Sequence, residues 1–356
     1  MRTIQFRELL PARTIAPDIE AMRRFIRGRR VLVTGAGGSI GSELCRQLAR
    51  LDCGALIMYE RHENSLHEIL LRIDERLATP ILGDILDSKR LDDTFSVCRP
   101  DIVFHAAAHK HVTLMEGHAG EAVKNNVSGT RAVAEAADRH GAERFVLVST
   151  DKAVNPSCVM GATKRVAELL MRAAAARSRT KFITVRLGNV LGSSGSVAPR
   201  FLAQLRDGRP LTVTHPEVRR FFILVPEAVQ LVIESAAAGQ SGGTYVLEMG
   251  EPVRIVDLAH RMIALSGTTS SVEFIGLRPG EKLEEELVGP SEVAEATWTP
   301  HIFIIRSNVP VPGTFEADLA LLERLAACGA PAETIDQLRA IVPEFVPAVS
   351  PAAARV

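Results

Sequence analysis

Short β-branched apolar runs alternate along the chain with longer segments whose apolar residues recur every three or four positions. The first run is Val31-Leu32-Val33; beyond a glycine-rich turn, Ile40, Leu44, Leu48 and Leu51 fall on one helical face. Further runs stand at Ala55–Tyr59, Ile102–Phe104, Phe145–Val148, Phe182–Arg186 and Tyr245–Glu248. Strands that are apolar at consecutive positions suit a sheet buried on both faces by helices. The pattern predicts an α/β protein, a doubly wound parallel sheet with a smaller C-terminal α/β cap. Ile19, Met22, Phe25 and Ile26 predict a helix in an N-terminal extension over 1–28. The sheet domain is expected over 29–190, with later strands supplied by the C-terminal half, and the cap over 191–346. Two short helices are read in 314–342, and the Pro/Ala-rich end, 347–356, as a frayed tail.

The first strand runs into Gly35-Ala36-Gly37-Gly38-Ser39-Ile40-Gly41, with glycines at 35, 38 and 41 placed between a strand and a helix. Glycine permits the tight turn, lets backbone N–H groups reach a pyrophosphate and allows close helix–sheet contact. This is a Rossmann-type dinucleotide site. The second strand ends at Glu60-Arg61, about 20 residues on, where a carboxylate accepts from an adenosine ribose. Glu60 argues for NAD; Arg61 keeps NADP possible, with a solvated surface charge as its alternative. Asp84 and Ile85 follow the third strand, where the Asp can bond adenine or simply cap a helix. Ala106, Ala107 and Ala108 would let the cofactor lie close to the backbone after strand four. His109-Lys110-His111 comes next; with Lys between the histidines and no matching carboxylate, a metal site is not expected. Lys110 and His111 are candidates to meet an anionic substrate, and Asn126 to position backbone.

Strand five runs directly into Thr150-Asp151-Lys152, where open α/β sheets carry their chemistry. Met160 and Lys164 follow on the next helix. The Gly/Ser-rich stretch after strand six, with Asn189, Ser196 and Val197, is a second phosphate-binding candidate. Thr212, Thr214, Arg220, Arg278 and Glu281 complete a candidate substrate set, the two arginines as a bidentate diphosphate clamp. Lys+Arg and Asp+Glu balance at 42 each, so no global field draws nucleic acid or an anionic membrane. The five cysteines have neither metal-ligand nor disulfide-framework spacing. No signal peptide and no apolar run of membrane-spanning length is read, which makes a cytoplasmic protein the expectation.

Taken in order, TGAGGSIGSEL (34–44), HAAAHKHV (105–112), STDKAVNPSCVMGATKR (149–165), RLGNVLGSSGSV (186–197), LTVTHPEVRRFF (211–222) and LRPGEKLEEEL (277–287) resemble the UDP-N-acetylhexosamine 4,6-dehydratases. These belong to the extended short-chain dehydrogenases/reductases, in which Tyr-x-x-x-Lys moves a hydroxyl proton and holds the nicotinamide ribose. Here Met160 stands in place of the Tyr, as in the branch that retains the C5 configuration. A thioether cannot transfer a proton. The resemblance implies bound NAD, with NADP possible, a UDP-N-acetylhexosamine substrate and a homo-oligomer. It also assigns roles: a desolvated Lys152 of lowered pKa takes the C5 proton, and a protonated Asp151 donates to the leaving C6 hydroxyl. Lys164 holds the ribose, and Thr150 with a water carries the C4 hydroxyl proton, His109 being the competing base. A C4-epimerase and a non-enzymatic NAD(P) sensor are the rival classes; only elimination needs the Asp151-Lys152 pair.

Overall fold

The computed structural model describes residues 4–10 and 17–347. Its nine-stranded sheet comprises β1 (Arg30–Thr34), β2 (Ala55–Glu60), β3 (Ala78–Leu82), β4 (Ile102–His105), β5 (Arg144–Thr150), β6 (Lys181–Leu187), β7 (Thr244–Leu247), β8 (Glu292–Ala296) and β9 (Ile302–Ser307). The order is β8-β9-β7-β6-β5-β4-β1-β2-β3. Strands β1 to β7 are parallel; β9 and β8 add an antiparallel edge. Chain order reverses between β1 and β4, which opens a crevice at their carboxyl ends.

Side chains on each strand alternate between two cores. Leu32, Val103, Phe145 and Leu147 face one; Val31, Val33, Ile102, Phe104 and Val146 face the other. The helix Val159–Ala175 is buried on every side from Val159 to Met171. Such a helix needs cover all round, and the helices Phe315–Cys328 and Pro331–Ile341 share its core through Phe315, Leu319, Leu322, Leu338 and Ile341. It therefore packs within the subunit. The stretch expected as cap, 191–346, thus divides: those helices, β7 to β9 and the helix Val225–Ala238 return to the sheet. The cap has its own core of Leu191, Phe201, Leu211, Val213, Leu258 and Met262, into which Ile4 and Leu9 insert. The expected N-terminal helix spans Ile19–Ile26 and buries Met22 and Ile26. Of the expected frayed tail, 348–356 lie outside the described residues.

Two buried polar clusters fix the sheet's active end. Arg186 on β6 pairs with Glu168 at 2.7 Å and Glu292 at 2.6 Å, and Arg165 bonds Glu168, Glu292 and Glu344. Ser149 on β5 donates to Glu168, so helix, two central strands and the antiparallel edge share one network. His105, at the end of β4, lies 2.7 Å from Thr34 Oγ1 through Nδ1 and 2.9 Å from Thr130 Oγ1 through Nε2. Thr130 gives its own proton to the Asn126 carbonyl, so Nε2 carries the imidazole proton and Nδ1 accepts from Thr34. Burial, with Lys164 adding to it, pushes the His105 pKa down to about 3.

A folded-state value below the ordinary one means that the unfolded chain takes up the proton first. His105 thus contributes stability that is complete above about pH 6.5 and fades on acidification, by about 1.4 kcal/mol per pH unit. Urea midpoints measured between pH 7.5 and 5.5 should fall, and His105→Gln should flatten that fall while lowering stability at pH 7.5. An unchanged slope would assign the acid sensitivity elsewhere.

Candidate active site

At the switch point, Gly35 has φ +65, and a Cβ there would stand 2.8 Å from the Ala107 Cα. The glycine turn and the alanine run after β4 therefore touch backbone to backbone. A Cβ on Gly41 would strike the Gly35 carbonyl, so this glycine serves the approach of the helix Ser39–Arg50 to the turn. Gly38 caps that helix without a side-chain acceptor, which leaves its first N–H groups for an anion. Beyond lies a cavity of about 670 Å³ lined by Gly35, Gly37, Gly38, Ser39, Glu60, Arg61, Asp84, Ile85, Ala106, Ala107 and Ala108. Of the expected cofactor residues, Ile40 packs on the second core, and Gly41 and Lys164 do not line the cavity.

Glu60 is buried at the cavity wall. Its Oε2 accepts from Gly37 N–H at 3.0 Å, and Oε1 from the N–H groups of Arg61 and His62. Arg61 turns to His109 Nε2 at 2.8 Å and lies 3.7 Å from Asp84. This engages the acceptor nitrogen of His109, whose Nδ1 is buried without a partner. Burial and Arg61 both lower the His109 pKa. His109 is thus a poor proton acceptor as it stands. Asn126 brackets its backbone, accepting from His109 N–H and donating to His109 C=O. Asp84 accepts from Leu86 N–H at 2.9 Å, whereas Asp87 caps the next helix.

A second cavity, of about 220 Å³, is lined by Lys152, Asn189, Ser196, Val197, Thr212, Thr214, Arg220, Arg278 and Glu281. All nine were legible in the sequence. Val112, Thr113, Arg200 and Glu285 also line it and were not. Gly192 and Ser194 face the first cavity, Gly195 and Ser196 the second, so one loop divides the two. Ser194 N–H donates to Ser39 Oγ at 3.0 Å, which ties this loop to the glycine turn. Lys110 and His111 lie outside the lining; the His111 ring packs against Gly195, whose Cβ would come within 2.5 Å of it.

The expected arginine clamp needs correction. Arg220 is buried and spends its N–H groups on the carbonyls of Arg219, Lys282 and Leu283 and on Glu281. It clips the segment 281–285 to the cap. Arg200, with Nη2 at 2.7 Å from Thr212 Oγ1 and Nε buried without a partner, stands with Arg278 as the cation on the wall.

At the end of β5 the backbone leaves the extended form after Thr150 and makes one 3₁₀ turn, Asp151–Ala153. Lys152 Nζ lies 2.9 Å from Asp151 Oδ1, 3.2 Å from Asn189 Oδ1 and 3.4 Å from Glu285 Oε1. Thr150 Oγ1 donates to the same Asp151 Oδ1 at 2.9 Å. Asp151 Oδ2 and Glu285 Oε2 are buried with no partner among the described residues. The expected low pKa of Lys152 is corrected here: desolvation lowers it, but Asp151 and Glu285 outweigh desolvation and raise it. Lys152, Arg220 and Lys282 hold Glu285 below its ordinary value against desolvation. Lys164 is the lysine of lowered pKa, pushed down to about 8 by burial against the pull of Glu168, with Nζ 2.9 Å from the Val148 carbonyl. Met160 packs in the apolar core beside Val159 and Ala162, so it contributes packing alone.

Among the described residues no helix is long and apolar enough to cross a membrane. Residues 31–307 match the family model described as "Polysaccharide biosynthesis protein". The chain is 47% identical over 312 residues to the probable polysaccharide biosynthesis protein EpsC of Bacillus subtilis, covering 85% of this chain and 52% of that one. It thus spans about half the length of that relative. A UDP-glucose 4-epimerase of Rickettsia canadensis is 32% identical over 273 residues, 75% of this chain and 79% of the relative. The X-ray structure of Pen from Bacillus thuringiensis superposes with a TM-score of 0.74 at 32% identity, covering 80% of this chain and 92% of that one. The chain belongs to the polysaccharide biosynthesis protein family whose model spans its sheet, its cap and both cavities.

Proposed function

We propose that this protein is a nucleotide-sugar 4,6-dehydratase that removes water from a UDP-N-acetylhexosamine, UDP-N-acetylglucosamine being the first candidate. The observation that carries this reading is the acid/base pair at the end of β5, a fully buried Asp151 bonded to a half-buried Lys152 that lines the second cavity. The first cavity suits a dinucleotide: a glycine turn packed backbone to backbone, uncapped helix N–H groups and a carboxylate on its wall. A bound nicotinamide would take a hydride from sugar C4 and return it to C6. NAD is favoured over NADP because Arg61 is committed to His109 and Asp84, while Glu60 stands at the wall.

The chain's own residues then divide the proton work. Thr150 Oγ1, which already bonds Asp151 Oδ1, passes the C4 hydroxyl proton inward. The C4 ketone makes the C5 hydrogen acidic, and Lys152 takes it. Asp151 gives its proton to the C6 oxygen, which leaves as water. Lys164, of lowered pKa, lines neither cavity and turns its Nζ to the Val148 carbonyl, so it would reach a ribose only by giving up that bond. Arg200 and Arg278 hold the diphosphate.

A C4-epimerase is the second reading, favoured by the likeness to the Rickettsia protein named UDP-glucose 4-epimerase. It leaves the Asp151-Lys152 pair without a task. Incubation with UDP-N-acetylglucosamine and NAD decides between them by mass and proton NMR. Loss of one water with a new C6 methyl signal is expected; a C4 epimer of unchanged mass would establish the epimerase.

Asp151→Asn and Lys152→Met should each slow water loss by on the order of 10²-fold or more, the usual scale for a lost acid or base. Dinucleotide binding should hold, and near-normal dehydration by either variant would remove its assigned role. Glu60→Ala should weaken NAD by about 10- to 100-fold, the scale of a bond to a charged group, and NADP by less. Equilibrium titration of both dinucleotides measures this; a protein that prefers NADP before and after would give the choice to Arg61.

A further inference from the structure

The dehydratase reading leaves a proton-counting problem, and the inference rests on that reading. Asp151 is fully buried, and its bonded oxygen already receives Thr150 Oγ1 and Lys152 Nζ. Once the C4 hydroxyl proton has arrived through Thr150, Asp151 is a neutral acid ready for the C6 oxygen. At that moment Lys152 is still an ammonium and cannot take a proton from C5. Its proton cannot go to Asp151, which is full. A second acceptor is required.

We propose that Glu285 is that acceptor, a proton store that frees Lys152 to act as the base. Glu285 Oε1 is 3.4 Å from Lys152 Nζ, and the carboxylate is 6% exposed. Its Oε2 is buried without a partner among the described residues, so the group has unspent acceptor capacity at the cavity wall. The charged groups around it are Lys152, Arg220 with Nε at 3.9 Å, and Lys282, which hold it ionised at rest; a neutral Asp151 removes one of the two carboxylates that keep Lys152 an ammonium, and the transfer is confined to that moment. Arg220 keeps the carboxylate in place through the segment 281–285.

The steps balance. As C4–H leaves with its electron pair for the oxidised nicotinamide dinucleotide, the C4 O–H proton passes by Thr150 to Asp151. Lys152 hands one ammonium proton to Glu285. The resulting amine takes the C5 proton; that electron pair forms C5=C6, the C6–O bond breaks, and Asp151's proton departs with the oxygen as water. The hydride returns to C6, the C5=C6 pair takes the proton of Lys152 at C5, and Lys152 recovers its own from Glu285. Asp151, Lys152 and Glu285 end as they began. Glu285 acts through Lys152 and is a positioning residue for protons.

The test compares wild type, Glu285→Gln and Glu285→Asp, each with NAD and UDP-N-acetylglucosamine in single turnover. Reduced-nicotinamide absorbance reports C4 oxidation, and water loss with deuterium exchange at C5 reports elimination. Glu285→Gln should slow water loss by on the order of 10²-fold more than it slows formation of reduced dinucleotide. Glu285→Asp should recover at least about tenfold of that loss, since it keeps the carboxylate. Infrared difference spectra taken on adding substrate should show two protonated-carboxyl bands, one that Asp151→Asn lacks and a second that Glu285→Gln lacks. Normal water loss by Glu285→Gln, or an equal fall in both steps, overturns the proposal. A wild-type protein that makes no reduced dinucleotide, or makes it without losing water, overturns the dehydratase reading instead.

Discussion

One half-buried ammonium organises the active site. Lys152 Nζ is held by Asp151, Asn189 and Glu285, and these come from three parts of the chain. Asp151 and Lys152 follow β5, Asn189 begins the short strand after β6, and Glu285 belongs to the segment clipped by Arg220. Burying one cation with two carboxylates costs desolvation that only good geometry offsets. Removing Lys152 would leave the buried Asp151 carboxylate without its cation. Sheet and cap are therefore joined through the same contact that holds the reacting groups, and chemistry cannot be adjusted there without disturbing their docking.

A second buried ion network keeps that contact in register. Arg186 on β6 is 1% exposed and meets Glu168 and Glu292 in bidentate fashion. Ser149, two residues before Asp151, is bonded to the same Glu168. Breaking such a pair by deleting one member costs on the order of 3–5 kcal/mol, because the other charge stays buried. The end of β5 is thus fixed from behind by Glu168 and from the front by Glu285, which leaves Thr150 and Asp151 little freedom. His105 and Asn126 do the same for the end of β4 through uncharged bonds.

Much of this was legible in the sequence because it depends on local rules. Consecutive apolar residues gave the buried strands, and the glycines at 35, 38 and 41 fell where a turn and a close helix require them. The cavity walls followed, since residues just beyond parallel strands must face the crevice. Long-range pairings were not legible. Nothing local distinguishes Glu285 from its neighbours Glu284 and Glu286, yet it alone of the three is buried against Lys152. Arg220 was read as a substrate clamp because an arginine's partners are set by tertiary packing, and here carbonyls of the segment 281–285 take its protons. The Lys152 pKa was misjudged for the same reason: burial acts on both Lys152 and Lys164, but only Lys152 has two carboxylates within reach. The C-terminal helices looked like cap because no local signal reveals that the helix Val159–Ala175 needs cover on every face.

The central claim is that these residues carry out an internal redox elimination, and isotope tracing tests it most directly. UDP-N-acetylglucosamine deuterated at C4 is converted in light water, and unlabelled substrate is converted in heavy water. The expected product of the first carries the label in its C6 methyl group; that of the second carries solvent deuterium at C5 and none transferred from C4. Label that stays at C4, with no loss of water, would contradict the account and leave the protein an epimerase.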